Sequence, residues 1–245
     1  MARALYLVFG ILAYAFFFAT FLYLIAFVGN LPGPMFTVDS GSISDTGTAI
    51  AIDLALIAVF GLQHSIMARP GFKHGWTKIV PEPIERSVYV VFASLALILL
   101  FVFWRPVPQP VWSIENPVAV AILWALFALG WGIVLLSTFL ISHFELFGLK
   151  QVWLNLRGHR AVAPQFRQPF FYKLVRHPLY SGFLLAFWAT PMMSVGHLVL
   201  AIGMTLYVLI AIRYEERDLV GLFGKDYEDY RQTVGMLAPK LGGRS

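Results

Sequence analysis

No cysteine occurs among the 245 residues. That excludes disulfides, thiolate-ligated zinc or iron–sulfur clusters, and a cysteine nucleophile. Charge is scarce as well. Asp, Glu, Lys and Arg together make up 13% of the chain, about half their share in soluble domains. No G-x-G-x-x-G follows a strand and no Walker sequence occurs, so a Rossmann or P-loop nucleotide fold is not expected. The six histidines never fall at H-x-x-H or H-x-x-x-H spacing, and no metal site is expected. The first apolar run is too long for the h-region of a cleaved leader, and no A-x-A site follows it.

What remains is a chain that is 59% hydrophobic, with long apolar runs near 4–29, 48–67, 87–104, 118–142, 179–195 and 197–214. Such runs have the length of membrane-crossing helices. A helix satisfies its own backbone in lipid, and the period-two alternation of barrel strands is missing. The expected fold is therefore all-α: a polytopic helical bundle of about six spans in a lipid bilayer. The fifth span is short, carries Pro191, and turns into the sixth through "MSVGH", 193–197. The formal charge of +5 is distributed by loop rather than gathered in one patch, which points away from nucleic acid. Under strict alternation, all of the 18 basic residues except Arg105 fall on one side. The positive-inside rule makes that side, with both termini, cytoplasmic. Nothing in the sequence bears on oligomeric state.

The reactive side chains gather on the same side. In "KLVRHPLYSGF", 173–183, Pro178 suits a first helical position, and His177 before it is pushed toward extended backbone. The helix start and Arg176 favour an anion, with Tyr180 one turn in. An interfacial anchor explains the same residues equally well. In "RYEERDLVGLFGKDYEDY", 213–230, Glu215 and Glu216 are expected at the end of the sixth span. There they oppose the helix dipole and call for a cation: Arg213 and Arg217, Lys and Arg of the large loop 143–178, or a ligand ammonium. "FGKDY" reads as a turn, and Tyr230 reads as part of an amphipathic surface helix. His64 lies three turns after Asp53 on the second span. Asp53 is either functional or a structural hydrogen-bonding group between helices. His143 and Glu145 leave the fourth span, where a polar cap is the plain alternative.

"LVRHPLYSGF", the helical hairpin, "EERDLVGLFGKDYEDYR" and "VGMLAPKL" occur in the order that resembles the isoprenylcysteine carboxyl methyltransferase superfamily. "HFELFGLKQVW", "QPFFYKLVRHPLY" and "QHSIMARPGF" resemble the narrower bacterial methanethiol S-methyltransferase family over most of the chain. The resemblance implies an inner-membrane enzyme that uses S-adenosylmethionine without a Rossmann domain. It implies a four-span bundle over 1–142, and a cofactor-binding loop, hairpin and cytoplasmic tail over 143–245. On that reading Arg176 meets the cofactor carboxylate, and Glu215 or Glu216 its ammonium. His177 and Tyr180 reach ribose or carboxylate, with Pro178 opening the helix. Tyr172, Leu174 and Val175 enclose adenine. The substrate is a small thiol, and His143, His64 or Glu145 takes its proton. Another acceptor (an isoprenylcysteine carboxylate or a lipid amine) and a non-enzymatic transporter or assembly factor stay open as alternatives.

Overall fold

The computed structural model describes residues 1–159 and 165–240; Arg160 and Arg244, counted above for topology, lie outside them. Among the described residues, five helices are long and apolar enough to cross a membrane. They are α1 (Ala2–Val28), α2 (Thr46–Ala68), α4 (Glu82–Phe103), α5 (Pro117–Ile141) and α9 (Val195–Phe223). Shorter helices are α3 (Pro70–Trp76), α6 (His143–Leu146), α7 (Leu149–Leu156), α8 (Pro178–Trp188) and α10 (Lys225–Thr233). A 3₁₀ turn covers Phe170–Lys173. Two short strands, β1 (Pro110–Ser113) and β2 (Met192–Ser194), make the sheet. The protein is an all-α integral membrane protein without a Rossmann fold.

The ends of the spans are written in the sequence. Asp45 caps α2 by accepting the Thr48 N–H at 3.0 Å. Asn116 caps α5 by accepting from Val118 and Ala119, with Pro117 in the first turn. Each cap satisfies N–H groups that the helix itself leaves open.

The chain divides into two compact units. The first comprises the described residues of Met1–Trp112, His143–Val162 and Met193–Leu200. Here α1, α2 and α4 pack together, and α7 lies against α1 and α4. Gly148, at φ +88, starts α7 where a Cβ would stand 2.8 Å from the Ser87 backbone nitrogen. Only glycine meets both demands. Asp53 is fully buried in this unit, and its Oδ1 accepts the Arg105 N–H at 2.8 Å, just past the end of α4. The hydrogen bond of the structural reading is present, while Asp53 Oδ2 is buried without a partner among the described residues.

The second unit comprises the described residues of Ser113–Ser142, Ala163–Met192 and Ala201–Ser245. Its centre is the pair α5 and α8. A Cβ on Gly130 would come within 2.7 Å of the Gly182 carbonyl oxygen, and a Cβ on Gly182 within 2.7 Å of the Gly130 oxygen. Ala186 faces Gly130 and Gly182 faces Val134, so the two helices run antiparallel. This is the close backbone approach that small residues permit in membranes. Gly182 is therefore occupied by helix packing rather than left open for a ligand.

At 11 residues, α8 covers about 16 Å, roughly half a hydrocarbon core. The chain beyond it turns extended, and its backbone groups are paired. Pro191 O accepts from Ile114 N–H at 2.9 Å, and Val195 N–H donates to Gln109 O at 2.8 Å. The short fifth segment is thus helical through Trp188 and ends in the three-residue strand β2.

Candidate functional site

In the second unit, α10 and the two residues before α8 converge on one carboxylate of α9. Glu216 is 7% exposed. Its Oε1 lies 2.7 Å from Arg176 Nε and 3.1 Å from His177 Nε2, and its Oε2 lies 3.2 Å from Arg231 Nε. A carboxylate so deeply buried is tolerated only with such partners. Arg176 Nη1 also donates to the carbonyls of Arg231 and Val234. Next door, Tyr180 donates to Glu215 Oε2 at 2.9 Å. Arg213, Glu216, Arg217, Val220 and Arg231 line a cleft of about 390 Å³.

The segment after α10 straps this cluster. Gly235 O accepts the Arg176 N–H at 2.8 Å, Met236 O accepts the His177 N–H at 3.1 Å, and Leu237 O accepts Ser181 Oγ at 2.7 Å. His177 holds φ −127 and ψ 63 before Pro178, the non-helical backbone that a following proline favours. The backbone around the start of α8, read from sequence as an anion site, is thus partly taken by carbonyls of the chain itself.

Tyr172, Tyr227 and Tyr230 are buried beside the cluster. Tyr230 donates to the Tyr172 carbonyl, and Phe166 packs edge-on to both Tyr227 and Tyr230. Burial pushes the hydroxyls of Tyr172 and Tyr227 above the usual phenol range, helped by the nearby glutamates. It lifts Tyr230 to about 12. All three stay protonated at neutral pH. Tyr230 therefore belongs to the interior and not to a surface helix. The structure also revises the position of the glutamates. α9 runs on to Phe223, so Glu215 and Glu216 sit about two turns inside it, beyond reach of the end-dipole argument. Tyr172 and Val175 are buried, whereas Leu174 is exposed.

The first unit holds the three other candidates. His143 is buried, and its Nε2 lies 2.8 Å from the Tyr14 hydroxyl. Phe147 meets its ring at 4.9 Å, and burial holds its pKa below the usual histidine range. His64 Nε2 lies 2.9 Å from the Tyr89 hydroxyl. The Arg86 guanidinium sits 4.8 Å over the Tyr89 ring while its Nε donates to Leu146 O at 2.7 Å. Glu145 is half-exposed and pairs with Lys150 at 2.6 Å. Among the described residues, no three His, Asp or Glu side chains converge on a metal position.

Comparison with known proteins decides the family. A methanethiol S-methyltransferase of Crocosphaera subtropica is 48% identical over 245 residues, covering 100% of this chain and 96% of its own. One from Mycobacterium tuberculosis is 49% identical over 239 residues, covering 98% of each chain. The chain belongs to the methanethiol S-methyltransferase family. Nurim of Xenopus laevis is a more distant relative, 31% identical over 204 residues, with 78% of this chain and 70% of that protein covered. No family model matches, and no solved structure matches.

Within this family member, the structure joins Arg176, His177 and Glu216 directly, and Tyr180 with Glu215. Sequence reasoning missed Arg231, Tyr14 and Tyr89. Arg231 had one signal: Tyr227 and Arg231 are four residues apart on the helix that follows "FG", so they share a face. The two tyrosines had none.

Proposed function

We propose that the protein transfers a methyl group from S-adenosylmethionine to methanethiol, giving dimethyl sulfide and S-adenosylhomocysteine. The observation that carries this reading is identity near one half with relatives named for that activity, over the whole chain. The ionic cluster supports it chemically. The amino-acid end of the donor is a zwitterion and needs one anionic and one cationic partner. Glu215 spends one oxygen on Tyr180, and its Oε1 remains for the ammonium. Arg176 is fixed through Nε and Nη1, and its Nη2 remains for the carboxylate. Glu216, satisfied by Arg176, His177 and Arg231, holds the pocket in shape. Pro178 sets the start of α8, and Tyr172 and Val175 supply apolar walls for the nucleoside.

The donor brings a methyl group already activated by its sulfonium, so the protein's tasks are alignment and exclusion of water. Thiolate is the nucleophile, and even a cysteine thiol titrates only near about 8.5. His143 and His64 are the candidates to take the thiol proton, each oriented by a tyrosine hydroxyl. Burial keeps His143 neutral at pH 7 and so able to accept. Glu145, tied to Lys150 in half-exposed surroundings, is the weaker candidate. We place the cluster and both termini on the cytoplasmic side of a bacterial inner membrane, by the distribution of Lys and Arg.

The test is purified protein in detergent with S-adenosylmethionine and a panel of acceptors, read by headspace gas chromatography. Dimethyl sulfide from methanethiol supports the reading. Turnover of an isoprenylcysteine or a lipid amine, with none of methanethiol, overturns it.

A further inference from the structure

Tyr227 is 3% exposed, and its hydroxyl has no hydrogen-bond partner among the described residues. Two of its neighbours do have partners within the protein. Tyr230, one turn on, has the Tyr172 carbonyl, and Glu216 has three cationic partners. A buried hydroxyl left without a partner is destabilising, because it has given up water for nothing. Groups of this kind in native proteins call for a specific explanation. Packing does not require the oxygen: the ring is held by Phe166 at 5.9 Å and Tyr230 at 5.7 Å, which a phenylalanine would satisfy equally.

Burial raises the hydroxyl's pKa most, the carboxylates of Glu216 and Glu215 raise it further, and the Arg176 guanidinium lowers it, so the net field of these charged neighbours is negative. A partner suited to that field is a cation bearing N–H groups. We propose that the Tyr227 hydroxyl accepts a hydrogen bond from the ammonium of the bound methyl donor and completes, with Glu215, the amino-acid end of its site. This rests on the donor site proposed above and adds to it a specificity residue: Tyr227 distinguishes a nucleoside that carries an amino-acid group from one that does not.

The experiment compares two thioether nucleosides that differ in that group, S-adenosylhomocysteine and 5′-methylthioadenosine, on the full-length protein by calorimetry. Tyr227→Phe is expected to weaken S-adenosylhomocysteine roughly tenfold, the scale of one hydrogen bond to a charged group. It leaves 5′-methylthioadenosine unchanged. Without ligand, its melting temperature is equal to or above that of wild type, since the orphaned oxygen is gone. Tyr230→Phe, which breaks a bond made within the protein, instead lowers the melting temperature. If Tyr227→Phe binds both nucleosides like wild type, weakens both alike, or melts early as Tyr230→Phe does, Tyr227 has only a structural part and the inference fails. If wild type binds neither S-adenosylhomocysteine nor S-adenosylmethionine, the donor site itself is wrong.

Discussion

Around Glu216, one carboxylate is shared by two guanidiniums and an imidazole. Around Tyr14 and Tyr89, each imidazole meets one phenol and aromatic neighbours. The first arrangement is ionic and collective. Its charged members are Arg176 and His177 just before α8, Glu216 of α9 and Arg231 of α10, and removing Glu216 leaves two guanidiniums without their shared anion. The second consists of separate imidazole–phenol pairs among aromatic rings, with the Arg86 guanidinium over the Tyr89 ring. Losing a phenol there removes hydrogen bonds and no charged group. The difference teaches where the molecule tolerates change: abruptly at the cluster, by degrees at the pairs.

The strongest way to break that contrast is Glu216→Gln. It leaves Arg176, His177 and Arg231 facing a neutral amide, and breaking a buried ion pair on one side costs about 3–5 kcal/mol. Donor affinity is expected to fall at least a hundredfold by calorimetry, with a lower melting temperature in detergent. Wild-type affinity in this variant would show that the cluster has no part in binding.

The histidine pairs are expected to respond in turnover, not in affinity. Removing a general base lowers a rate by about 10²–10⁴. His143→Ala or His64→Ala, whichever bears the base, is expected to do so with the donor dissociation constant unchanged. The rate partly recovers at higher pH, where free thiolate is more abundant. If His143 is the base, its depressed pKa places the acid limb of the rate profile below the ordinary histidine value of about 6.5. Protonation on acidification then removes the acceptor. Stability linked to this histidine has the same sign: it is present above about 6.5 and lost as pH falls, because the unfolded state takes the proton first. Phe147→Ala, which opens the ring's surroundings, moves the acid limb upward. An unmoved limb removes His143 from the role.

A smaller effect is expected at the glycine contact. Gly182→Ala forces a methyl group against the Gly130 carbonyl and costs about 1–3 kcal/mol, read as a lower melting temperature. At the small end stands Glu145→Gln. Its pair with Lys150 is largely solvated and is worth about 0–1 kcal/mol. Activity within twofold of wild type is expected, and a large loss would restore Glu145 as the base.

Much of the fold was legible because lipid imposes a harsh code. Long apolar runs, capped by Asp45 and Asn116 and punctuated by Pro178 and Pro191, announce spans without any tertiary information. The extension of α9 to Phe223 was not legible from hydropathy, which falls away after Ile212. Glu, Arg and Leu are good helix formers, and the helix continues through them while its surroundings change from apolar to polar. Of the site, the Arg176–Glu216 pairing was legible as complementary charge in one motif set. Of the two readings the sequence left open, pairing with Lys and Arg of the large loop and the two sides of a ligand clamp, the bond between Arg176 and Glu216 is the first. Tyr14 with His143 and Tyr89 with His64 were hidden because partners 129 and 25 residues apart share no period. Tyr230 was misread because polar neighbours on α10 mask its buried face.

The strap gives the chain a schedule. Arg176 leaves the ribosome 40 residues before Glu216, and the carbonyls of Val234, Gly235 and Met236 follow later still. For all that time Arg176 and His177 have no permanent partners, while α8 has already to find α5. Translation at about 5–20 residues per second makes this a wait of several seconds, during which the short helix rests on its glycine contact and the ions on water or lipid headgroups. A chain released at residue 233 would lack the strap carbonyls of Val234, Gly235 and Met236, and its cluster would still be open.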